Sequence, residues 1–261
     1  MQILGRTQMI PNATYEEAVA RIMKRGFDGV EINIYNREFK LREEFFKPDF
    51  PKEMKKILEN YGVTAYSVGA HRDYLGCEED FKRVKKSISV AETLAAPIVL
   101  ITGGLLQEGI PYPLQWEKNV EKTKELCQEA EQRGITLALE FEPGFIVDST
   151  EKLLKMIQEI DSPALGMNAD IGHIFLQDPD PMKAIGLAGR YIVHAHLENM
   201  QKGIHNHLLP QEGDMDMAAY MRKLQEVGFD GYASLDVYQY DYEEIAEEAV
   251  AFLKLLMRKE M

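Results

Sequence analysis

His71, His173, His194, His196, His205 and His207 are all the histidines of the chain, and each stands at or just after a short apolar run. The same places hold Glu31, Glu140, Glu142, Asp170, Glu198 and Asp236. Taken singly, each histidine reads more readily as a hydrogen-bonded structural residue than as a ligand. In combination with so many acids they read differently. Carboxylates gathered away from water are costly unless paired or metal-bound, and here they exceed the nearby lysines and arginines. A divalent cation resolves that excess. Residues two apart on a strand share a side, so Glu140 goes with Glu142 and His194 with His196. In Asp170-Ile171-Gly172-His173 the spacing lets the chain curl until both side chains reach one centre, with Gly172 easing the turn. Oxygen-rich sites with a minority of imidazole suit Mn2+, Mg2+ or Co2+, and further histidines pull toward Zn2+. The expected cofactor is one divalent ion, Mn2+ first, with Zn2+, Co2+ or Mg2+ as alternatives.

Those residues need a scaffold that brings them together. Short apolar runs alternate with longer amphipathic stretches from one end of the chain to the other, the pattern of repeated βα units. Eight strands are expected: Gln2–Leu4, Gly29–Asn33, Thr64–Val68, Ile98–Thr102, Thr136–Glu140, Ala164–Asn168, Tyr191–His196 and Gly231–Asp236. Gly26, Gly62, Gly134 and Gly228 mark helix-to-strand joints, because glycine takes the left-handed conformation that closes a helix. Thr14, Ser149-Thr150 and Asp241 mark helix starts. Pro111–Pro113 reads as a loop before a helix beginning near Leu114, and Trp116 on that helix reads as packing. Asn199–Asp214 reads as one long irregular loop, and such a loop in a compact domain is more often functional than idle. Eight units also fit an open doubly wound sheet. The ionisable residues favour a barrel, because they gather where strands end and a barrel brings those ends to one face. The expected fold is a (β/α)8 TIM barrel, a single domain over residues 1–261.

With 261 residues, 45% of them apolar, the chain can fill one substantial core. Its net charge of −13 would repel a phosphate backbone, so nucleic acid is not an expected partner. There is no apolar stretch long enough for a membrane span or a signal peptide, so a cytoplasmic location is expected. Cys77 and Cys127 are far apart in sequence and read as reduced thiols. Self-association is left open.

The ordered set of segments resembles the xylose-isomerase-like barrels, a family of sugar isomerases, ketose 3-epimerases, inosose dehydratases and AP endonucleases. The resemblance runs through Gly26-Phe27-Asp28-Gly29-Val30-Glu31, Leu137-Ala138-Leu139-Glu140, Asp170-Ile171-Gly172-His173 and His194-Ala195-His196. It closes with Leu209-Pro210-Gln211-Glu212-Gly213-Asp214-Met215-Asp216 and Gly228-Phe229-Asp230-Gly231-Tyr232-Ala233-Ser234-Leu235-Asp236. It implies that Glu140, Asp170, His196 and Asp236 hold the metal and that Glu140 and Asp236 are the acid/base pair. Asp236 is a departure, since the family usually has Glu there. The resemblance also places His173, Glu142 and His71 at the substrate, and Lys202 where the epimerases have a substrate-binding arginine. In the AP endonucleases further metals are held by histidines. His71 matches one of these and His205-Asn206-His207 resembles a pair of them, while Thr102 stands where another histidine is needed. His173 resembles the residue that contacts substrate or metal after the sixth strand, so His173, His205 and His207 are possible additional ligands. The alternative for His205 and His207 is a hydrogen-bonding surface loop, and for Glu31 a buried, paired acid.

The implied activity is a metal-dependent isomerase or epimerase of a small sugar or polyol. Proton transfer would run through an enediolate stabilised by the cation, with a carboxylate on each face. A lyase or dehydratase acting on a keto-sugar or inosose could use the same site. An AP-endonuclease-type phosphodiesterase fits poorly with Thr102 and the charge. A non-catalytic sugar-binding barrel has only the shortened Asp236 in its favour.

Overall fold

Each expected apolar run forms a strand, and the eight strands pair in parallel until the last meets the first. They are β1 (Gln2–Arg6), β2 (Gly29–Asn33), β3 (Ala65–Gly69), β4 (Ile98–Thr102), β5 (Thr136–Glu140), β6 (Leu165–Asp170), β7 (Ile192–Leu197) and β10 (Tyr232–Leu235). The closed order is β1-β10-β7-β6-β5-β4-β3-β2. The computed structural model describes residues 1–258, so the end of the expected domain 1–261 lies outside the described residues. No described helix is long and apolar enough to cross a membrane.

Strands of such a barrel are covered on both faces, which is why runs such as Ile98–Thr102 are buried throughout. The outer layer comprises α1 (Tyr15–Met23), α2 (Phe50–Tyr61), α3 (Glu78–Leu94), α4 (Tyr112–Arg133), α5 (Thr150–Ile160), α6 (Ile171–Gln177), α7 (Pro181–Ala188), α8 (Met217–Glu226) and α9 (Tyr242–Arg258). Helical spacing turns one face of each inward. On α5 that face is Leu153, Met156, Ile157 and Ile160, each stabilising by roughly 1.5–3 kcal/mol when fully buried. Thr14 caps α1 in a reciprocal pair with Glu17, and Ser149 accepts from Lys152 N–H at the start of α5. Trp116 is buried on α4 and donates to Glu159 at 2.9 Å, a packing role.

Register aligns the strand ends. Arg6 lies beside Glu31, Thr102 beside Glu140, and Asp170 beside His196. Three expectations need correction. β1 runs two residues past Leu4, which carries Arg6 to the barrel mouth. β6 ends on Asp170, which then caps α6 directly, so no loop curls there. Asn199–Asp214 is not wholly irregular: β8 (Asn199–Gln201) and β9 (Ile204–Leu208) form an antiparallel hairpin. Its turn uses Gly203 at φ +75°.

Candidate active site

The centre is built from the ends of β5, β6, β7 and β10. From β7, His196 Nδ1 faces Glu140 Oε2 at 3.0 Å, Asp236 Oδ2 at 3.6 Å and Asp170 Oδ2 at 3.7 Å. Its other ring nitrogen lies 3.3 Å from Glu31 Oε2, an acceptor that orients the imidazole. Asp170 is divided in the same way. Its Oδ1 accepts the His173 N–H at 2.7 Å as an N-cap, which leaves Oδ2 for the centre. His71 Nε2 adds a contact to Glu140 at 3.3 Å. Although burial raises carboxyl pKa values, His196 and His71 hold Glu140 well below the usual carboxylate range. Burial disfavours charge on His196 too, and Glu140 raises it well above an ordinary imidazole.

Asp170 Oδ2, His196 Nδ1, His207 Nδ1 and both His71 ring nitrogens are buried without a hydrogen-bond partner. Leaving polar atoms so is costly, and here they converge with two further carboxylates. Asp170, His196 and Asp236 offer ligand atoms within 4.8 Å of one another, as do His71, Glu140 and His196. A mixed oxygen and nitrogen donor set around orphaned atoms fits a divalent cation.

Behind the centre lies a layer of satisfied polar groups. His194 shares its strand face with His196, yet its ring is spent on Asn168 Oδ1 at 2.9 Å and Ser67 Oγ at 3.2 Å. Burial holds its pKa down to about 3, so it stays neutral. Asn168 in turn donates to Glu140 Oε2. Glu31 accepts from Asn33 at 2.7 Å and Ser234 at 2.6 Å. Arg6 donates to Glu31 at 3.0 Å, to Gln8 at 3.0 Å and, through Nη1, to Asp236 Oδ1. One oxygen of Asp236 is thereby fixed by Arg6, and the other faces the centre. Sequence reasoning missed Arg6. The signal was its place two residues after Leu4 within an apolar start, which puts both on one side of β1.

The hairpin closes a second side. His205 Nε2 lies 2.9 Å from His173 Nε2 and 2.8 Å from His207 Nε2, and Glu142 Oε2 is 3.6 Å from His173. Burial lowers the pKa of His205 to about 4. His173 is buried, but Asp170, Glu142 and Glu140 raise it to about 9. The Glu142 side chain is 24% exposed, yet the enclosing protein and the neighbouring acids push it up to about 8. Gly172 has a role other than the expected one. Its N–H donates to Glu198 Oε1 at 2.6 Å, and a Cβ there would stand 2.4 Å from Glu198 Oε1 and Met200 Cε. It supplies space, with no left-handed turn. Lys202 does not reach the site. It is exposed at the hairpin turn, where its N–H donates to Asp214 at 2.8 Å.

These groups open into a cleft of about 470 Å³ whose lining includes His71, Glu140, Glu142, His205, His207 and Asp236. Two larger hollows, of about 700 and 530 Å³, lie beside α5 and α7 and at the strand-start side. Neither contains the converging acids and imidazoles, so the smaller cleft is the candidate site.

A closed parallel barrel with an acid and imidazole centre at its strand ends defines the class, and sequence comparison gives the family. The profile described as xylose isomerase-like TIM barrel matches residues 19–256, and the chain belongs to that family. It is 25% identical over 240 residues to fructoselysine 3-epimerase of Shigella flexneri, covering 85% of this chain and 84% of that one. It is 22% identical over 241 residues to 3-dehydroshikimate dehydratase of Pseudomonas putida, covering 87% of this chain and 36% of that one. Among solved structures, the IolI protein with a bound zinc atom superposes with a TM-score of 0.81 at 20% identity, over 100% of this chain and 99% of that one.

Proposed function

We propose that this chain is a divalent-metal-dependent epimerase or isomerase of a small sugar or polyol. The observation that carries the reading is the set of buried, unpartnered ligand atoms shared by Asp170 and His196 beside Glu140 and Asp236. Those four residues would hold the ion. When bound, it supplies a Lewis acid beside the substrate's carbonyl and hydroxyl oxygens. Glu140 and Asp236 come from different parts of the barrel wall and line one cleft. In this reading each takes or returns a proton on one face of the substrate, Asp236 through Oδ2 because Arg6 engages Oδ1. Burial and the neighbouring acids push Glu142 up to about 8, and its protonated carboxyl can donate to a substrate oxygen. His71 lines the cleft beside Glu140, and His173 lies buried behind Glu142.

The three imidazoles of His173, His205 and His207 form a second candidate group, and a nitrogen-rich set of this kind suits Zn2+. Metal analysis of the purified protein distinguishes one bound ion per chain from two. His196→Ala is expected to remove most of the ion from the acid centre, whereas His194→Ala retains it, because His196, unlike His194, turns a bare nitrogen toward the acids. Metal content by emission spectroscopy checks this, and equal losses would remove His196 from the ligand set.

A keto-sugar lyase is the second reading, favoured by the dehydratase relative. Incubation of the Mn2+-supplied protein with a ketose panel in D2O separates the two. An epimerase working by proton transfer places solvent deuterium on the carbon beside the carbonyl and yields the epimer. A lyase yields a dehydrated product absorbing in the ultraviolet, and turnover without exchange rules out the acid/base roles given to Glu140 and Asp236.

A further inference from the structure

The mouth of the cleft is aromatic, while its floor is anionic. Phe39, in the loop after β2, is 59% exposed and sits at φ +57°. A bulky side chain adopts that left-handed conformation only where its surroundings impose it. Here the loop closes on itself: Asn36 N–H donates to Lys40 O at 2.9 Å, and Phe39 N–H donates to Asn36 O at 2.9 Å. Arg37 then ties the loop across the mouth by donating to the carbonyls of Tyr238 and Tyr240. Held in this way, the Phe39 ring stacks on Tyr238 with centroids 5.8 Å apart and planes 15° off parallel. It also leans on Tyr35 at 5.7 Å. All three rings line the cleft. An exposed phenyl ring presented so rigidly buries little of the protein's own surface, and its open face suits the C–H face of a neutral ring.

Charge narrows the ligand further. Asp73, Glu140 and Asp236 line the cleft, and among the described lining residues Arg6 is the one arginine or lysine. Each of its three nitrogens is already engaged, by Glu31, Asp236 and Gln8. A divalent ion would not reverse the sign, since the five acids Glu31, Asp73, Glu140, Asp170 and Asp236 outnumber the two charges of the ion together with those of Arg6 and His173. A phosphate dianion would enter against that field without an arginine or lysine free to receive it.

We propose that Phe39, with Tyr35 and Tyr238, sets the specificity of this cleft for unphosphorylated sugars carrying a neutral ring substituent. This rests on the reading of the site as a ketose enzyme. The test compares D-fructose, D-fructose 6-phosphate and 6-O-glucosyl-D-fructose as substrates of the Mn2+-supplied protein, with kcat/KM taken from deuterium uptake in D2O. The glucosyl ketose should exceed the phosphate by at least about tenfold, and F39A should lower the ratio of glucosyl ketose to fructose by roughly three- to tenfold through KM. F39W, which keeps an aromatic face, should retain the ratio. Preference for the phosphate, or an unchanged ratio in a folded F39A protein, overturns the inference while leaving the ketose reading intact. Turnover of none of the three overturns both.

Discussion

Arg6→Met is expected to lower the unfolding free energy by roughly 3–5 kcal/mol, the cost of removing one partner from a buried ionic network. Arg6 is buried between Glu31, Asp236, Gln8 and Tyr238, and methionine fills much of its volume while returning none of its donors. The penalty is electrostatic. Burial raises the Glu31 carboxyl, and Arg6 leads the groups that hold it well below the usual range. In the wild type this group's stabilisation is present above the unfolded-state pKa and is lost as the pH falls through the folded-state value. Without Arg6 burial dominates, the folded-state pKa rises above the unfolded one, and the sign reverses. The deficit of Arg6→Met should therefore shrink on acidification, and Arg6→Met with Glu31→Gln should recover part of it at neutral pH. Denaturant unfolding at two pH values measures both effects. A deficit below about 1 kcal/mol, within the range of exposed pairs, would show that the network contributes little.

The alternation of strand and helix was legible because the two carry different periods, and the barrel because the ionisable residues gather where strands end. Glycines such as Gly62 and Gly134, at φ +62° and +64°, mark where helix gives way to strand. The hairpin was not legible: Asn199–Gln201 is only three residues long, and Ile204–Leu208 carries polar side chains that show little apolar alternation. The same hairpin explains why Lys202 stands away from the cleft. A residue placed by its offset along the chain follows the turn that holds it, and this turn points outward.

At the site, ligand types were legible but their environments were not. Nothing in His194-Ala195-His196 distinguishes the two histidines by pattern, since both face one side. They differ in what lies beside them: Ser67 and Asn168 occupy one ring, while three acids face the bare nitrogen of the other. Those neighbours arrive from other strands through the register of the sheet. Arg6 was hidden by an expected strand two residues too short. Phe39 was hidden for another reason, because neither its exposure nor its left-handed backbone leaves a mark on hydrophobic periodicity.

Asp236→Asn is expected to slow turnover by about 10²–10⁴-fold, the contribution of a positioned acid or base, while stability changes little. Asparagine keeps the shape of the side chain, and its amide oxygen can still accept from Arg6, whose contacts to Glu31 and Gln8 are independent of this change. What it loses is the charged Oδ2 that faces His196 at 3.6 Å and His207 at 3.7 Å. Asp236→Glu restores the family's usual residue and extends the carboxylate by one methylene. It should keep the metal and a measurable fraction of turnover, provided Arg6 can follow the longer side chain within the buried network. Metal content, melting temperature and deuterium exchange, measured together on both variants, separate the possible roles. Full exchange in a metal-loaded Asp236→Asn protein would make Asp236 a ligand only and leave Glu140 as the sole base. That outcome would favour the lyase, which needs one base for the carbon-bound proton, over the epimerase, which needs proton transfer on both faces.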